Sequence, residues 1–386
     1  MTSRDAVIVG AVRSPVGVGK PEKGALSGIH PIDLSALVLQ GLVARTGIDP
    51  AVVDDVLWGC VSQVGEQAFN VGRNAALAAG FPEEVTGVSI DRQCGSSQQA
   101  AHFAAAGVIA GHYDVAIAGG VESMSRVPMF SNLVGGDGPF GPMMLDRYDG
   151  KLVNQGISAE MIAEKWNLSR EQLDTIAVES QQRAAAATEA GLFADEIIPI
   201  TTAAGLVTTD QGIRGGTTLE TLAGLKTPFQ EGGVVTAGNA SQISDGAAAL
   251  LIMTSEKAAS LGLTPIARFH TVALAGVDPV IMLTGPIPAT HKAIARSGLS
   301  MSDIGTFEIN EAFASVVGAW YAETGADRAL TNPNGGAIAL GHPLGGSGAR
   351  LMTTMVHHMK RNKIRYGLQS MCEGGGMANA TILELL

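Results

Sequence analysis

The chain has 386 residues and a formal net charge of −11, with 46% hydrophobic, 16% charged and only 4% aromatic residues. This length exceeds one ordinary core and predicts two domains, the negative charge argues against nucleic-acid binding, and no apolar run reaches the roughly 18 residues of a membrane span. The three cysteines form no C-x-x-C motif, so we expect no disulfide framework and a reducing, cytoplasmic setting.

Short apolar strands alternate with helices through the first 120 residues, which predicts parallel βαβ units. The first residues turn polar too early for a secretory signal peptide, and we expect none. The predicted elements are strand 6–12, helix 31–45, strand 56–60, helix 71–79, strand 85–90, an alanine-rich helix ending near 110, and strand 114–118. We expect the last strand to end at Gly119-Gly120.

The character of the sequence changes after residue 120. Residues 129–151 are rich in Gly, Pro and Met without a clear period, which indicates a long excursion rather than a core element. Helices are predicted at 158–167, at 169–190, which opens with capping-box spacing, and at 217–225. We therefore interpret residues 121–244 as an inserted loop domain.

The chain then returns to the first unit and repeats it. A strand at 248–254 completes an N-terminal half made of residues 1–120 and 245–265, and a second half covers 266–386. Predicted elements of the second half are helix 288–297, strand 307–310, helix 311–324, a helix ending near 358, and strands 366–371 and 378–385. Residues 46–59 match 297–310 in pattern at an offset of 251, which indicates two copies of one unit. Coincidence is the alternative, because few residues are identical.

One turn of the first half carries a candidate nucleophile. Cys94 stands between strand 85–90 and the start of a helix, where free N–H groups and the helix dipole favour thiolate over thiol. The alternative is a small core cysteine, since free cysteines are commonly buried.

Three further turns combine polar side chains with glycine at predicted strand ends or helix starts, where α/β sheets bind ligands. They are Asn310-Glu-Ala-Phe-Ala, the glycine-rich run 335–350 that contains His342, and Met371-Cys372-Glu-Gly-Gly-Gly-Met377. Taken singly, each has a structural alternative: a strand-end turn for Asn310, a structural histidine, and a core thiol. Cys60 lies in no such motif, and we interpret it as a core residue.

These turns, in this order, resemble those of the thiolase family, as do Arg13-Ser-Pro-Val-Gly, Gly119-Gly-Val-Glu-Ser-Met-Ser and Thr236-Ala-Gly-Asn-Ala-Ser. The similarity covers essentially the whole chain. It implies an α/β thiolase fold, in which two similar α/β/α halves form a five-layered α-β-α-β-α core with an inserted loop domain that binds coenzyme A. It also implies an acyltransferase with coenzyme A as co-substrate, no permanently bound cofactor or metal, and a homodimer or homotetramer without nucleic-acid or membrane partners.

The resemblance assigns catalytic roles to five residues. Cys94 would be the nucleophile that becomes acylated, and His342 the base that takes its proton. Cys372 would be a second acid/base that protonates the departing enolate and then deprotonates coenzyme A. Asn310 would fix a water that forms one oxyanion hole with His342, and the N–H groups of Cys94 and Gly374 would form the other.

The resemblance also implies contacts with coenzyme A and the acyl group. Arg214 would meet the nucleotide end, although a solvated loop charge is an equal alternative. The pantetheine path and the tunnel near the thiol would be lined by Thr221, Phe229, Ala237, Ser241 and Phe313. One departure stands at Asn154-Gln155-Gly156, where short-chain thiolases carry His-Met-Gly. Gln155 in the acyl pocket therefore puts acetoacetyl-CoA specificity in doubt.

We predict cleavage of a 3-oxoacyl-CoA by coenzyme A to acetyl-CoA or propionyl-CoA and a shortened acyl-CoA, in degradation of fatty acids or steroids. The segment around Cys94, together with Met-Cys-Glu-Gly-Gly-Gly, is most similar to the thiolases of bacterial steroid breakdown. The alternatives are a biosynthetic acetoacetyl-CoA thiolase, a β-ketoacyl synthase, which has no need of Cys372, and a non-catalytic acyl-CoA or sterol carrier, against which the complete catalytic set argues. The acyl group and the direction in the cell stay open.

Overall fold

The computed structural model describes residues 4–386, and the first three residues, on which the expectation of no signal peptide partly rests, lie outside the described residues. The strands are β1 (Val7–Arg13), β2 (Gly17–Val18), β3 (Asp55–Gly59), β4 (Thr86–Ile90), β5 (Val115–Ser123), β6 (Ile200–Thr202), β7 (Gly205–Val207), β8 (Ser244–Met253), β9 (Ala267–Gly276), β10 (Thr306–Ile309), β11 (Tyr366–Glu373) and β12 (Met377–Leu385). The helices are α1 (Pro31–Thr46), α2 (Val71–Ala78), α3 (Ser96–Ala110), α4 (Pro142–Arg147), α5 (Gln155–Lys165), α6 (Arg170–Glu189), α7 (Leu219–Ala223), α8 (Ser255–Ser260), α9 (Pro286–Ser297), α10 (Ala314–Thr324), α11 (Ala337–Leu340) and α12 (Leu344–Asn362).

The main strands form one ten-stranded sheet with two parts of the same strand order, which we call the first and the second sheet. The first runs β4-β3-β5-β8-β1, with β3, β4 and β5 parallel and β8 antiparallel to its neighbours. The second runs β10-β11-β12-β9, with a parallel bridge from Phe307 to Thr331 in the place that β4 takes in the first sheet. The sheets meet only where β1 pairs with β9 over Val7 and Ile8.

Helices cover both sheets and lie between them. α1 and α2 pack on the outer face of the first sheet, and α9 packs on the second sheet with α10 beside it. α3 and α12 pack on each other in the centre, where Ala100, Ala104, Met352 and Met355 form one apolar cluster with residues of the first sheet. The predicted thiolase fold with five layers is confirmed, and the layers bury each helix on its apolar face.

The repeat at an offset of 251 is visible in the backbone. α1 ends at Gly47 and α9 at Gly298, and both glycines adopt a left-handed conformation, with φ of 69° and 74°. Trp58 pairs with Gly119 in the first sheet, and Ile309 pairs with Ser370 in the second, again 251 residues apart. Glycine has no Cβ that opposes such a helix end, which explains why this residue recurs.

Two sequence predictions need correction. The strand expected to end at Gly119-Gly120 continues to Ser123. A Cβ at Gly120 would overlap the backbone of Gly345, so these glycines allow the start of α12 to approach the strand and do not mark a turn. Strand β9 was not predicted, because its alternating polar residues give no continuous apolar run.

The segment between β5 and β8 folds largely outside the sheets. Residues 129–151 are mostly exposed and contain the short helix α4 and one 3-10 turn at Ser131–Leu133, as expected for an excursion from the core. Buried Arg13 of β1 ties this segment to the first sheet through ion pairs of 2.6 Å with Glu196 and 2.7 Å with Asp210. No helix formed by residues 4–386 combines the length and the apolar character that a bilayer span requires.

Candidate active site

The turn between β4 and α3 presents Cys94. Gln93, the residue before it, has a left-handed backbone with φ of 49°, which is uncommon for a residue with a side chain. Asp91 supports this turn by accepting a hydrogen bond of 2.7 Å from the Gln93 N–H. The cysteine is 5% exposed and immediately precedes the first turn of α3. The local sequence therefore places a nearly buried thiol at a helix start, as predicted.

The expectation that this position favours thiolate is wrong for the resting protein. Burial first, and then the nearby carboxyl group of Glu373, raise the pKa of Cys94 to about 12. The desolvation cost of a buried thiolate exceeds the stabilisation that the positive end of the helix dipole provides. Cys94 therefore rests as a neutral thiol and needs a base to become a nucleophile.

His342 lies directly before α12 and has the properties of such a base. It is 4% exposed, and burial together with Arg350 lowers its pKa to about 3, so it is neutral at physiological pH. Its Nδ1 lies 2.6 Å from Ser347 Oγ, and that hydroxyl donates to the Pro343 carbonyl at 3.0 Å. Since Ser347 uses its proton on Pro343, it accepts from His342 Nδ1–H. This arrangement leaves Nε2 with a free lone pair.

Asn310 and Cys372 stand at neighbouring strand ends. β10 and β11 are parallel, and Asn310 follows β10 while Cys372 lies near the end of β11. The Asn310 Nδ2 amide lies 3.4 Å from His342 Nε2, which is consistent with an Nε2 lone pair that accepts. The Oδ1 atom of Asn310 is buried and has no hydrogen-bond partner within residues 4–386. Asn310 thus reaches the base directly and keeps a free acceptor.

Cys372 is fully buried next to a glycine turn. Burial first, and then Cys94, raise its pKa well above the ordinary value, which places the two thiols within electrostatic range of each other. The turn to β12 contains Gly375 and Gly376, with φ of 82° and 80°, a conformation that side chains oppose. A Cβ on Gly374 would lie 3.1 Å from Gln93 Oε1, so this turn meets the turn that carries Cys94.

The central helices hold the two halves of the site together. The Ala349 N–H of α12 donates to Ser97 Oγ of α3 at 2.8 Å, so the helices that follow His342 and Cys94 are joined near their starts. Cys94 and Cys372 are brought together at one edge of the sheets, and Asn310 contacts His342. Cys60 is also buried, but it packs near the backbone of Gly345, in agreement with a core role.

The expected acyl-pocket residues form one wall. Gln155 is the first residue of α5, three residues before the predicted helix start at 158, because Asn154 caps the helix by accepting a hydrogen bond from the Ile157 N–H at 3.0 Å. The Gln155 Nε2 atom lies 3.4 Å from the position of a Cβ on Gly374, beside the catalytic turn.

Two aromatic residues continue this wall. Phe229 and Phe313 contact each other edge to face with ring centres 6.1 Å apart, and Gly156 packs directly on the Phe229 ring. The Ser241 N–H donates to the Ala312 carbonyl at 2.9 Å, which joins the inserted segment to the residue before Phe313.

The remaining expected contacts lie farther out. Arg214, Thr221 and Ala237 are exposed. The Thr221 hydroxyl takes part in the capping box of α7, because it accepts a hydrogen bond from the Thr218 N–H at 3.0 Å, and it donates to the Thr218 carbonyl at 2.8 Å. The Arg214 N–H donates to Gln181 Oε1 at 2.6 Å, which holds the loop while its side chain makes no hydrogen bond within the described residues.

Three residues of the site were missed by sequence reasoning. Ser347, which orients His342, and Gln93, which meets Gly374, lie inside quoted motifs, and their polar side chains among small residues were an available signal. Glu373 stands between Cys372 and Gly374, and a charged residue inside an otherwise apolar strand end was the signal there. Nothing in the local sequence shows that Glu373 reaches the start of α3.

Family models match the chain along nearly its whole length. The model described as Thiolase, N-terminal domain matches residues 6–256, and the model described as Thiolase, C-terminal domain matches residues 263–385. A solved structure of the Bacillus anthracis acetyl-CoA acetyltransferase superimposes with a TM-score of 0.90 at 40% sequence identity, covering 100% of this chain and 99% of the other.

Curated relatives are similar over the same span. The steroid 3-ketoacyl-CoA thiolase FadA6 of Mycobacterium tuberculosis is 52% identical over 390 residues, covering 99% of this chain and 94% of the relative. A 3-ketoacyl-CoA thiolase of Bacillus subtilis is 41% identical, covering 99% of this chain and 100% of the relative. A 3-oxoadipyl-CoA/3-oxo-5,6-dehydrosuberyl-CoA thiolase of Escherichia coli is 44% identical, with 99% of each chain covered.

Proposed function

This chain belongs to the thiolase family and is a degradative acyltransferase, and we propose that it cleaves a bulky, steroid-derived 3-oxoacyl-CoA with coenzyme A. The observation that carries the proposal is the assembly of Cys94, Cys372 and the Asn310–His342 pair at one edge of the sheets. The relatives favour neither the biosynthetic alternative nor a non-catalytic carrier.

The first half-reaction begins at Cys94. His342 Nε2 takes the thiol proton, and the sulfur attacks the 3-oxo carbon of the substrate, so that an S–C bond forms. The C2–C3 bond then breaks, and its electron pair passes to the thioester enolate. Cys372 gives its proton to C2, and acetyl-CoA or propionyl-CoA leaves while the rest of the chain stays on Cys94. His342 is neutral, as a base must be before it takes a proton, and Cys94 starts as a thiol.

The second half-reaction restores both thiols. Cys372, now a thiolate, takes the proton of incoming coenzyme A, and the raised pKa of Cys372 favours this transfer. The new thiolate attacks the acyl carbon, the bond to Cys94 breaks, and the released Cys94 thiolate takes back its proton from His342 while the shortened acyl-CoA leaves. Coenzyme A is thus a substrate, and we propose no resident cofactor or metal.

Two groups of donors would stabilise the negative oxygen atoms of these steps. A water on the free Asn310 Oδ1, together with His342, would serve the enolate oxygen, and the N–H groups of Cys94 and Gly374 would serve the tetrahedral oxyanion. Donors fixed before charge develops are usually the largest catalytic contribution. The proximity of Gly374 to the Gln93 side chain supports the second pair, because Gln93 directly precedes Cys94.

The inserted segment would bind the rest of the substrate. Phe229 and Phe313 contact each other, and Ser241 is bonded to the residue before Phe313, so the three residues lie close together, which supports their assignment to pantetheine. Exposed Arg214 suits a nucleotide phosphate, whereas the capping bond of Thr221 leaves its hydroxyl only partly free for a ligand. The backbone of exposed Ala237 would line the outer end of the pantetheine path.

A substrate panel tests the proposal. We expect the purified protein to cleave 3-oxoacyl-CoA esters with coenzyme A, and to prefer ring-bearing or branched chains over acetoacetyl-CoA. Cys94→Ala is the control, because it removes only the reacting sulfur. Preference for acetoacetyl-CoA would overturn the bulky substrate, and acyl-CoA binding without cleavage by the native protein would overturn the enzyme.

We also propose a homodimer or homotetramer in the cytoplasm, with halves divided at 1–120 plus 245–265, 121–244 and 266–386. The repeated strand order supports the division. The edge strand β4 pairs only with β3, and nearby Phe103 is 47% exposed, which supports a self-association surface. The three cysteines, all free, suit a reducing compartment. Light scattering of the purified protein tests the oligomer.

A further inference from the structure

The repeat places two glutamates at equivalent positions near the site. Glu122 lies in β5 and Glu373 in β11, 251 residues apart, and the strand registers of the two sheets match at the same offset. Each glutamate reaches the start of the central helix that belongs to the other half. Their surroundings can therefore be compared atom by atom.

Glu122 is a fully satisfied structural carboxylate. It accepts hydrogen bonds from the N–H groups of Val61 and Ser62 at 3.0 Å, of Gly345 at 2.8 Å, and from Gln67 Nε2 at 2.8 Å. The Gly345 bond caps the first turn of α12, which carries the dipole of that helix. This glutamate fastens the loop after β3 to α12, and its charge is compensated.

Glu373 has the same position and no such partners. It is fully buried, and neither carboxyl oxygen has a hydrogen-bond partner within residues 4–386. It packs so closely on Gly95, the residue after Cys94, that any Cβ there would overlap Oε1. It also directly follows Cys372 and precedes Gly374 in the chain. Thus one unpaired carboxyl group lies against the turn that carries Cys94, on the residue that follows Cys372.

The charges that face Glu373 are few. Arg92, in the turn before Cys94, is the one cation that acts on it, and it makes no hydrogen bond to the carboxyl group. β12 contributes the uncharged amide of Asn379, which donates to the Gly95 carbonyl at 3.1 Å. The groups that respond are Cys94 and Cys372, and Cys94 also faces the weaker fields of Asp91 and Glu122.

The protonation state of Glu373 changes both thiols in one direction. Burial raises the pKa of Glu373 to about 8, so the group is mainly neutral below this pH and ionised above it. As a carboxylate it raises the pKa of Cys94 and of Cys372, because like charges oppose each other in a poorly solvated site.

We propose that Glu373 is a proton-controlled positioning residue, which supports thiolate formation at Cys94 while it is a neutral acid and suppresses it once it ionises. The role in turnover rests on the proposed thiolase function, because it acts through Cys94 and Cys372. The packing on Gly95 places the group where no other buried carboxyl group reaches the same turn. The unpaired state is what distinguishes it from Glu122.

The test is the pH dependence of Cys94 alkylation by iodoacetamide, followed by peptide mass spectrometry, in native protein and in Glu373→Gln. At about pH 6 both proteins carry a neutral group, and we expect equal rates. At about pH 9.5 the native carboxylate opposes the thiolate, and we expect the variant to react about tenfold faster. A ratio that stays constant with pH would indicate a merely structural role and would overturn the proposal.

Two further measurements keep the test decisive. Glu373→Leu should give the same rising ratio, whereas Glu373→Asp, which keeps the charge, should not. If the neutral variants fail to fold, the native profile decides: the proposal requires the rise in rate with pH to flatten near pH 8, and a uniform slope contradicts it. Alkylation needs no turnover, so failure of the thiolase function would appear separately, as absence of thiolysis by native protein.

Discussion

In the first sheet β3 ends at Gly59, whereas the equivalent position of the second half is Asn310. A Cβ on Gly59 would lie 2.5 Å from the Ser97 nitrogen, so the lack of a side chain at this strand end allows α3 to pack closely against it. Asn310 instead extends its amide to His342. Likewise, Val121 of β5 is an apolar core residue and its counterpart in β11 is Cys372.

The same topology thus serves two purposes. Strand ends of the N-terminal half bring α3 and α12 together. In the C-terminal half, strand ends supply Asn310 and Cys372, and the loop before α12 supplies the base His342. Only Cys94 comes from the N-terminal half. The repeat therefore gives both halves the same scaffold, whereas the proposed catalytic residues are distributed unequally between them. The following predictions compare the two halves.

The largest expected effect is on the N-terminal half. Cys94→Ala should lower the rate of thiolysis by at least about 10⁴-fold and abolish the acylated protein in intact mass spectrometry, because no other group can carry the acyl chain. Cys60→Ala, the matched control in the same half, should keep the activity within about threefold, since it touches only packing. Acylation that persists without Cys94 would break the comparison.

The next effect is on the base of the C-terminal half. His342→Asn should lower kcat by about 10³-fold through loss of proton transfer, and Ser347→Ala should have a smaller effect by freeing the ring. Because burial lowers the pKa of His342 to about 3, native kcat/KM should show no loss near pH 6.5 as pH falls. An acid limb near 6.5 that vanishes in the histidine variant would contradict the assignment.

The two equivalent glutamates should differ in stability. Glu122→Gln places an amide donor among N–H donors and should cost about 1–3 kcal/mol of unfolding free energy, measured by urea denaturation. Glu373→Gln should not cost stability, because it removes an unpaired carboxyl group.

The pH dependence of the unfolding free energy gives a second test of Glu373. The pKa of Glu373 is raised from 4.5 to about 8 in the folded chain, so between these values the folded state holds a proton that the unfolded state has lost. Native stability should therefore fall as pH rises through this window, and Glu373→Gln should remove that part of the fall. Parallel curves for native protein and variant would contradict the pKa shift.

The smallest expected effect concerns the inserted segment, which belongs to neither half of the repeat. Gln155→Met should shift the ratio of kcat/KM values toward acetoacetyl-CoA by about tenfold, because an apolar side chain would fill the acyl pocket. Asn154→Ala, which weakens the cap of α5 without changing the pocket wall, is the control. An unchanged preference would remove Gln155 from the specificity residues.

Much of this protein follows from the sequence alone. Local rules predicted α1 with its proline start, the capping box of α6 and the exposed excursion 129–151, because each depends on neighbouring residues. The offset of 251 indicated the repeat, and the four motifs indicated the family. Strand β9 was not predicted, because alternating polar and apolar residues give no continuous apolar run. Strand β5 was predicted to end too early, because Gly119-Gly120 can mark either a turn or close packing within a strand.

Only the tertiary structure decided the electrostatics of the site. The sequence placed Cys94 at a helix start and so favoured thiolate, but burial and Glu373 reverse that balance. The tautomer of His342 depends on Ser347, and the contrast between Glu122 and Glu373 depends on which donors other elements bring to each carboxyl group. Solvation and hydrogen bonding are set by residues hundreds of positions apart, and no local pattern records them.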